Sequence, residues 1–237
     1  MFLHVTRFIH HSLLFSPGRK IHQIRCVFFN LSVYYIVPSI NCQIFVYPKY
    51  IVNRFMFIDK DLFSSGQITS KLWLCEELEK LNWSSELTRI YGGWCGVLPF
   101  LLLSRGKFIT KRIESYDLDP SCEPIADMIN ENWLWQDWKF KAHTLDCNTL
   151  TDNMADLVIN TSTEHFESRN WFSNLNVGTK IILQGNNMKH ENEDTHQTNS
   201  LIDFKSQYPL SEYLYEGSKE FVYPNWKFTR YMIIGLV

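Results

Sequence analysis

The sequence predicts an α/β fold built around a parallel sheet, and three observations carry that expectation. Short apolar segments alternate with stretches of helical periodicity, which is the pattern of strand–helix–strand units. The segment Thr88-Arg89-Ile90-Tyr91-Gly92-Gly93-Trp94-Cys95-Gly96 reads as a strand, a glycine turn and a helix that starts at once. Two last strands, Tyr213 to Phe221 and Lys227 to Leu236, are joined by a turn around Pro224.

Composition sets the outer limits. A chain of 237 residues with 45% hydrophobic content can bury the core of one ordinary domain. A net charge of −2 argues against a broad nucleic-acid surface. The six cysteines, at 26, 42, 75, 95, 122 and 147, include no C-x-x-C pair, so reduced thiols in a cytoplasmic protein are expected, with no metal site. Charge is unevenly spread. Residues 1–58 hold Arg7, Arg19, Lys20, Arg25, Lys49 and Arg54 and no acid, leaving 17 of the 23 basic residues to face all 25 acids beyond them. A boundary near Asp59 follows, with 1–58 an extension outside the core and 59–237 the folded domain; Met56 is the expected real start of the protein, and order is expected from around Ser64. The uncharged run from Cys26 to Pro48 has the length of a bilayer span. Asn30, Pro38, Asn41, Gln43 and Pro48 interrupt it, and favour the extension over the span.

The elements follow in order. Ser64 and Gln67 have the spacing of a capping box, and Ile68, Leu72, Cys75, Leu78 and Leu81 form an inner stripe, with Glu76, Glu77, Glu79 and Lys80 outside. After the glycine turn, Val97 to Leu103 is a buried helix that tolerates Pro99 in its first turn. Arg112 to Tyr116 is the second strand. Ser121 is the expected cap of a helix facing inward through Ile125, Met128 and Ile129. Trp133, Trp135 and Trp138 can stack a ring, but packing is the commoner use of such a cluster. Phe140 to Thr144, Ala155 to Asn160 and Lys180 to Leu183 are further strands, the fourth apolar as a central strand should be. Gln184 to Asn199 is polar throughout and reads as a solvated loop rather than a lid.

In a parallel sheet, ligands sit at the C-terminal strand edge. Gly92, Gly93, Asp117, Asp146 and Asn160 all fall there. Asp117 stands where an acid accepts hydrogen bonds from a ribose diol; the competing role is a helix N-terminal acid.

The order Tyr91-Gly92-Gly93-Trp94-Cys95-Gly96, Tyr116-Asp117-Leu118-Asp119-Pro120, Leu145-Asp146-Cys147, and Asp156-Leu157-Val158-Ile159-Asn160 with Glu164-His165 resembles class I S-adenosylmethionine-dependent methyltransferases. Within them it looks most like an uncharacterised group from phage and bacterial genomes. The resemblance covers about Ser65 to Leu236. It implies a Rossmann-like seven-stranded sheet with an antiparallel C-terminal hairpin, and methyl transfer from S-adenosylmethionine to an unidentified acceptor, a small molecule or a modified polymer. It assigns Gly92, Gly93 and Gly96 to the methionine part of the cofactor, Asp117 to the ribose, Asp146 and Cys147 to the adenine edge, and Asn160 to the position after the fourth strand, with Tyr91 also among the cofactor-binding residues. Ile90 stands where the family has an acid, and Trp94 where it has a glycine. The Asn/Asp-Pro-Pro-Tyr/Phe motif of amino-group methyltransferases on DNA is absent after Asn160.

His165 is the expected general base, its unperturbed pKa suiting proton transfer; the alternative is that Glu164 and His165 merely open a helix. Two other functions compete. An NAD-dependent oxidoreductase shares the strand–glycine–acid logic, although the glycine spacing and the final strand pair argue against it. A non-catalytic cofactor-binding module is consistent with Ile90 and Trp94.

Overall fold

The computed structural model describes residues 60–152, 154–188 and 197–237, together with the two-residue strands Phe28–Phe29 and Ser32–Val33. The chain divides into two units, Met1–Met56 and Phe57–Val237. In the first, the two short strands pair antiparallel. The candidate span from Cys26 to Pro48 lies outside the described residues apart from those strands. Among the described residues no helix is long and apolar enough to cross a membrane.

The second unit carries seven strands: β1 (Ser84–Tyr91), β2 (Ile109–Asp117), β3 (Phe140–Thr144), β4 (Leu157–Asn160), β5 (Lys180–Asn186), β6 (Glu212–Val222) and β7 (Lys227–Leu236). They lie in the order β3-β2-β1-β4-β5-β7-β6. The first five run parallel, while β7 runs antiparallel between β5 and its hairpin partner β6. The helices are α1 (Ser65–Lys80), α2 (Val97–Arg105), α3 (Cys122–Ile129), the single turns α4 (Glu131–Leu134) and α5 (Asn170–Ser173), and α6 (Leu201–Gln207).

Strand periodicity divides the core. Ile159, Ile182, Met232 and Ile234 face one side with Trp73, Leu74 and Leu78 of α1 and Leu98 and Leu102 of α2. Their sequence neighbours Val158, Ile181, Leu183 and Ile233 face the other, with Trp171, Phe204 and Tyr208. Both faces are covered, so the central strands are apolar throughout. Asp156 ties β1 to the start of β4: its carboxylate accepts from the N–H of Leu87 at 2.8 Å and the hydroxyl of Ser85 at 2.8 Å.

Several local readings change. β1 begins at Ser84 and β2 at Ile109, earlier than the apolar pattern suggests. β5 does not stop at Leu183 but runs to Asn186, so Gln184 and Asn186 are buried strand residues and not part of a solvated loop. Their amides are used: Gln184 Nε2 donates to the carbonyl of Ser70 at 3.1 Å, and Asn186 Nδ2 donates to Glu164. Within that polar stretch, 189–196 lie outside the described residues. On α3 the buried residues are Cys122, Ile125 and Ala126, and Met128 points outward. Ser121 precedes α3 without capping it through its hydroxyl. Asp119 serves that end instead, its carboxylate accepting from the N–H of Ser121 at 2.8 Å. Of the three tryptophans only Trp133 packs on the core; Trp135 and Trp138 are 62% and 57% exposed.

Candidate functional site

β1 and β4 are parallel neighbours whose onward connections run to opposite sides, β1 to β2 and β4 to β5, and a crevice opens at their C-terminal ends. A cavity of about 830 Å³ lies there. One half is built from the ends of β1, β2 and β3. Tyr91 ends β1, and Gly92 follows at φ 62°. Gly93 donates its N–H to the carbonyl of Tyr116 at 3.0 Å, and a Cβ here would collide with the hydroxyl of Ser115. The loop therefore lies against β2 only because residue 93 has no side chain. Trp94 holds φ 48°, a conformation natural to the glycine it replaces and strained for a bulky residue. Its N–H donates to Asp117 Oδ2 at 2.8 Å. Asp117 Oδ1 accepts from the N–H of Asp119 at 3.0 Å, so the carboxylate is held in place while each oxygen keeps further acceptor capacity.

At the end of β3, Asp146 Oδ1 accepts from the N–H of Asn148 at 2.9 Å and caps the short turn Cys147–Thr149. Burial pushes the Cys147 thiol up to about 12, so it presents a neutral, apolar sulfur.

Six of the residues singled out from the sequence line the cavity: Gly92, Gly93, Asp117, Asp146, Cys147 and His165. Tyr91, Gly96 and Asn160 are not in its lining. Tyr91 packs edge-on against Tyr116 and Trp171 within the core. Gly96 starts α2 at φ 76°, against Ala126 and Asn130 of the α3 region. Asn160 is fully buried, and its Oδ1 accepts from the N–H of Ser162 at 2.9 Å, shaping the turn after β4.

The other half of the cavity brings together residues far apart in sequence: Asp61, Gln67 and Lys71 from the first helical region, Glu164 and His165 after β4, Met188 after β5 and Arg230 on β7. Sequence reasoning missed Lys71 and Arg230. Lys71 did leave a signal, because it shares the inner stripe of α1 with Leu74, Cys75 and Leu78, where a lysine does not belong. Arg230 left none: Lys227-Phe228-Thr229-Arg230 reads as an ordinary strand end. Gln67, expected to complete a capping box, turns its side chain to accept from Lys71 Nζ at 2.5 Å, while Ser64 still accepts from the Gln67 N–H.

Burial, then the nearby positive charge of Arg230, lowers Lys71 from its ordinary 10.5 to about 7, against the opposing pull of Asp61 and Glu164. Arg230 is buried and donates through Nη1 to the carbonyl of Thr161 at 2.9 Å. Glu164 is buried as well; one oxygen accepts from Asn186, and Oε2 has no hydrogen-bond partner among the described residues. His165 differs, with a side chain 45% exposed and Nε2 4.0 Å from Glu164.

The depressed lysine has a consequence for stability. Between pH 7 and 10.5 the folded chain binds this proton less readily than the unfolded chain, so stability gained from this group rises with pH across that window. Lys71→Met should therefore stabilise the protein at and below pH 7, and the gain should fade toward pH 10. The net effect near neutrality is on the order of 1–3 kcal/mol, since the lysine's desolvation cost is relieved but Gln67 loses its partner and Glu164 a favourable charge. Urea denaturation of both proteins at pH 6.5 and 9.5 checks this; an equal difference at the two pH values would contradict it.

Neither a protein-family model nor a curated protein matches the sequence. Solved structures do match in fold. The N-methyltransferase NodS from Bradyrhizobium japonicum WM9, crystallised with S-adenosyl-L-homocysteine, superposes with a TM-score of 0.54 at 10% identity, over 76% of this chain and 93% of that one. The magnesium protoporphyrin IX methyltransferase ChlM from Synechocystis PCC 6803, with bound S-adenosylhomocysteine, gives 0.53 at 12% identity, over 71% of this chain and 83% of that one. With its strand order, its reversed last strand and its crevice at the β1–β4 divide, this chain has the fold of the class I S-adenosylmethionine-dependent methyltransferases.

Proposed function

We propose that the protein is an enzyme that binds S-adenosylmethionine and transfers its methyl group to an acceptor bound in the same cavity. The observation that carries this reading is the placement of Asp117 and Asp146 at adjacent strand ends beside the Gly92–Gly93 turn, all lining one crevice. The residues present suit the cofactor. Asp117 offers a fixed carboxylate to a ribose diol, Asp146 and the apolar Cys147 sulfur flank the place for an adenine, and the turn at Gly93 has no room for a side chain. A space of about 830 Å³ is ample for a cofactor with a small acceptor group.

The sulfonium supplies an already activated methyl group, so alignment of the acceptor can provide much of the rate. The chain's part is to hold the cofactor by its ribose and base, to exclude water, and to receive a proton. His165 is the base read from the sequence; Lys71 is the one added by the fold. The acceptor is a small molecule, or a group carried on a modified polymer, that enters this cavity.

The test is calorimetric titration and thermal melting with S-adenosylhomocysteine, S-adenosylmethionine and NAD. At about a hundred times its Kd, S-adenosylhomocysteine should stabilise the fold by about 2.7 kcal/mol. A shift with NAD alone would replace this reading with an oxidoreductase.

A further inference from the structure

We infer that Lys71 is the proton acceptor of the transfer, taking up the proton that the acceptor hydroxyl or amine gives up as it is methylated. The inference rests on the methyl-transfer reading above and names the base within that same cavity.

Position comes first. Lys71 is only 7% exposed and sits on the stripe of α1 that otherwise packs on the core, yet it lines the cavity. A buried lysine is costly and normally balanced by a carboxylate. Here no carboxylate oxygen of the described residues lies within 4.0 Å of its Nζ. The partner is the uncharged amide oxygen of Gln67, to which a neutral amine can also donate. An amine held in this way keeps its lone pair for a proton.

The surroundings agree. Arg230 on β7 faces Lys71 with a like charge, while Asp61 from the turn before α1 and Glu164 from the turn after β4 oppose it; burial and Arg230 prevail. His165 shares the lining, at the exposed end. A sulfonium in the cavity would add another positive charge and favour the neutral amine further. Glu164 Oε2 is buried and has no hydrogen-bond partner among the described residues.

The step balances. A lone pair on the acceptor oxygen or nitrogen forms the new bond to the methyl carbon. The carbon–sulfur bond breaks with its electrons going to sulfur, and the acceptor's proton passes to Lys71 Nζ. The positive charge that leaves sulfur ends on the lysine ammonium, and the ammonium returns its proton to water once the product departs. Lys71 is far less exposed than His165, so water reaches it less readily while the cavity is filled.

The experiment needs no identified acceptor. The side-chain carbon resonances of the full-length protein, labelled with [13C]lysine, are followed against pH without ligand, with S-adenosylhomocysteine and with S-adenosylmethionine. The Lys71 signal is the one lost in Lys71→Arg. The two ligands differ at the reacting centre by one methyl group and one positive charge. A lysine facing that centre should titrate roughly one pH unit lower with S-adenosylmethionine than with S-adenosylhomocysteine. By linkage, the affinity of S-adenosylmethionine relative to S-adenosylhomocysteine should rise about tenfold as pH increases through that titration. Lys71→Met should abolish the rise, and His165→Gln should leave it. An identical midpoint with both ligands, or a rise lost in His165→Gln and kept in Lys71→Met, overturns the inference while the methyl-transfer reading stands. Failure of both ligands to bind overturns that reading and this inference with it.

Discussion

Asp117→Ala should raise the Kd for S-adenosylhomocysteine by about two to four orders of magnitude. Two hydrogen bonds from a ribose diol to a charged acceptor contribute roughly 1.5–3 kcal/mol each, and each 1.4 kcal/mol is about tenfold in affinity. The substitution also removes the acceptor of the Trp94 N–H, one of the two contacts that hold the glycine loop against the end of β2. Trp94 sits at φ 48°, so the loop has reason to relax once that contact is gone. Asp117→Asn keeps a carbonyl oxygen for the Trp94 N–H and loses the charge, so its Kd should fall between those of the alanine variant and the parent. Calorimetry with parallel melting curves separates binding from folding. Normal affinity in Asp117→Ala with a melting point several degrees lower would mean that the carboxylate only supports the loop.

Gly96→Ala should destabilise the fold by about 2–5 kcal/mol. Residue 96 begins α2 at φ 76°, where an L side chain is strained by roughly 1–2 kcal/mol. A Cβ there would also lie 2.8 Å from the Cβ of Ala126 and 2.9 Å from its Cα, and 2.8 Å from Asn130 Nδ2. Asn130 has little freedom to withdraw. It is fully buried, and its amide donates to the carbonyls of Gly96 and Ala126, both at 2.9 Å. Overpacking of this kind adds about 1–3 kcal/mol. Gly106, at φ 65° with nothing within 4 Å of its would-be Cβ, is the internal control, because Gly106→Ala should cost only the backbone term. Urea denaturation of the three proteins measures the difference. Equal losses at 96 and 106 would show that α2 and α3 separate easily. Because Gly96 is outside the cavity lining, the folded fraction of Gly96→Ala should still bind S-adenosylhomocysteine.

Much of the architecture was legible from local pattern. Phe140 to Thr144 and Lys227 to Leu236 coincide with β3 and β7, because short segments carrying Phe, Thr, Tyr and Ile between turn signals favour the extended backbone. The cofactor half of the candidate site was legible for a topological reason. In a parallel sheet every strand ends at the same edge, so Gly92, Gly93, Asp117 and Asp146, each just past a strand, converge without further information. Errors arose where burial had to be inferred from polarity. Met128 was expected inside and is outside, since the close approach of α2 and α3 at Gly96 selects the small Ala126 for the contact.

The sequence by itself determined the class of fold, the order of its elements and the strand ends that face a ligand. Periodicity and turn chemistry are properties of neighbouring residues, and they survive without a partner. Only the tertiary structure decided which polar residues go inside. Gln184 and Asn186 look like the start of a loop, and are strand residues because Ser70 and Glu164 supply their hydrogen bonds from other elements. Lys71 and Arg230 stand 159 positions apart and share one cavity because α1 and β7 both reach the same end of the sheet. Burial of a polar group is favourable only when its partner arrives from elsewhere in the chain, and that meeting is set by the assembled sheet rather than by local sequence.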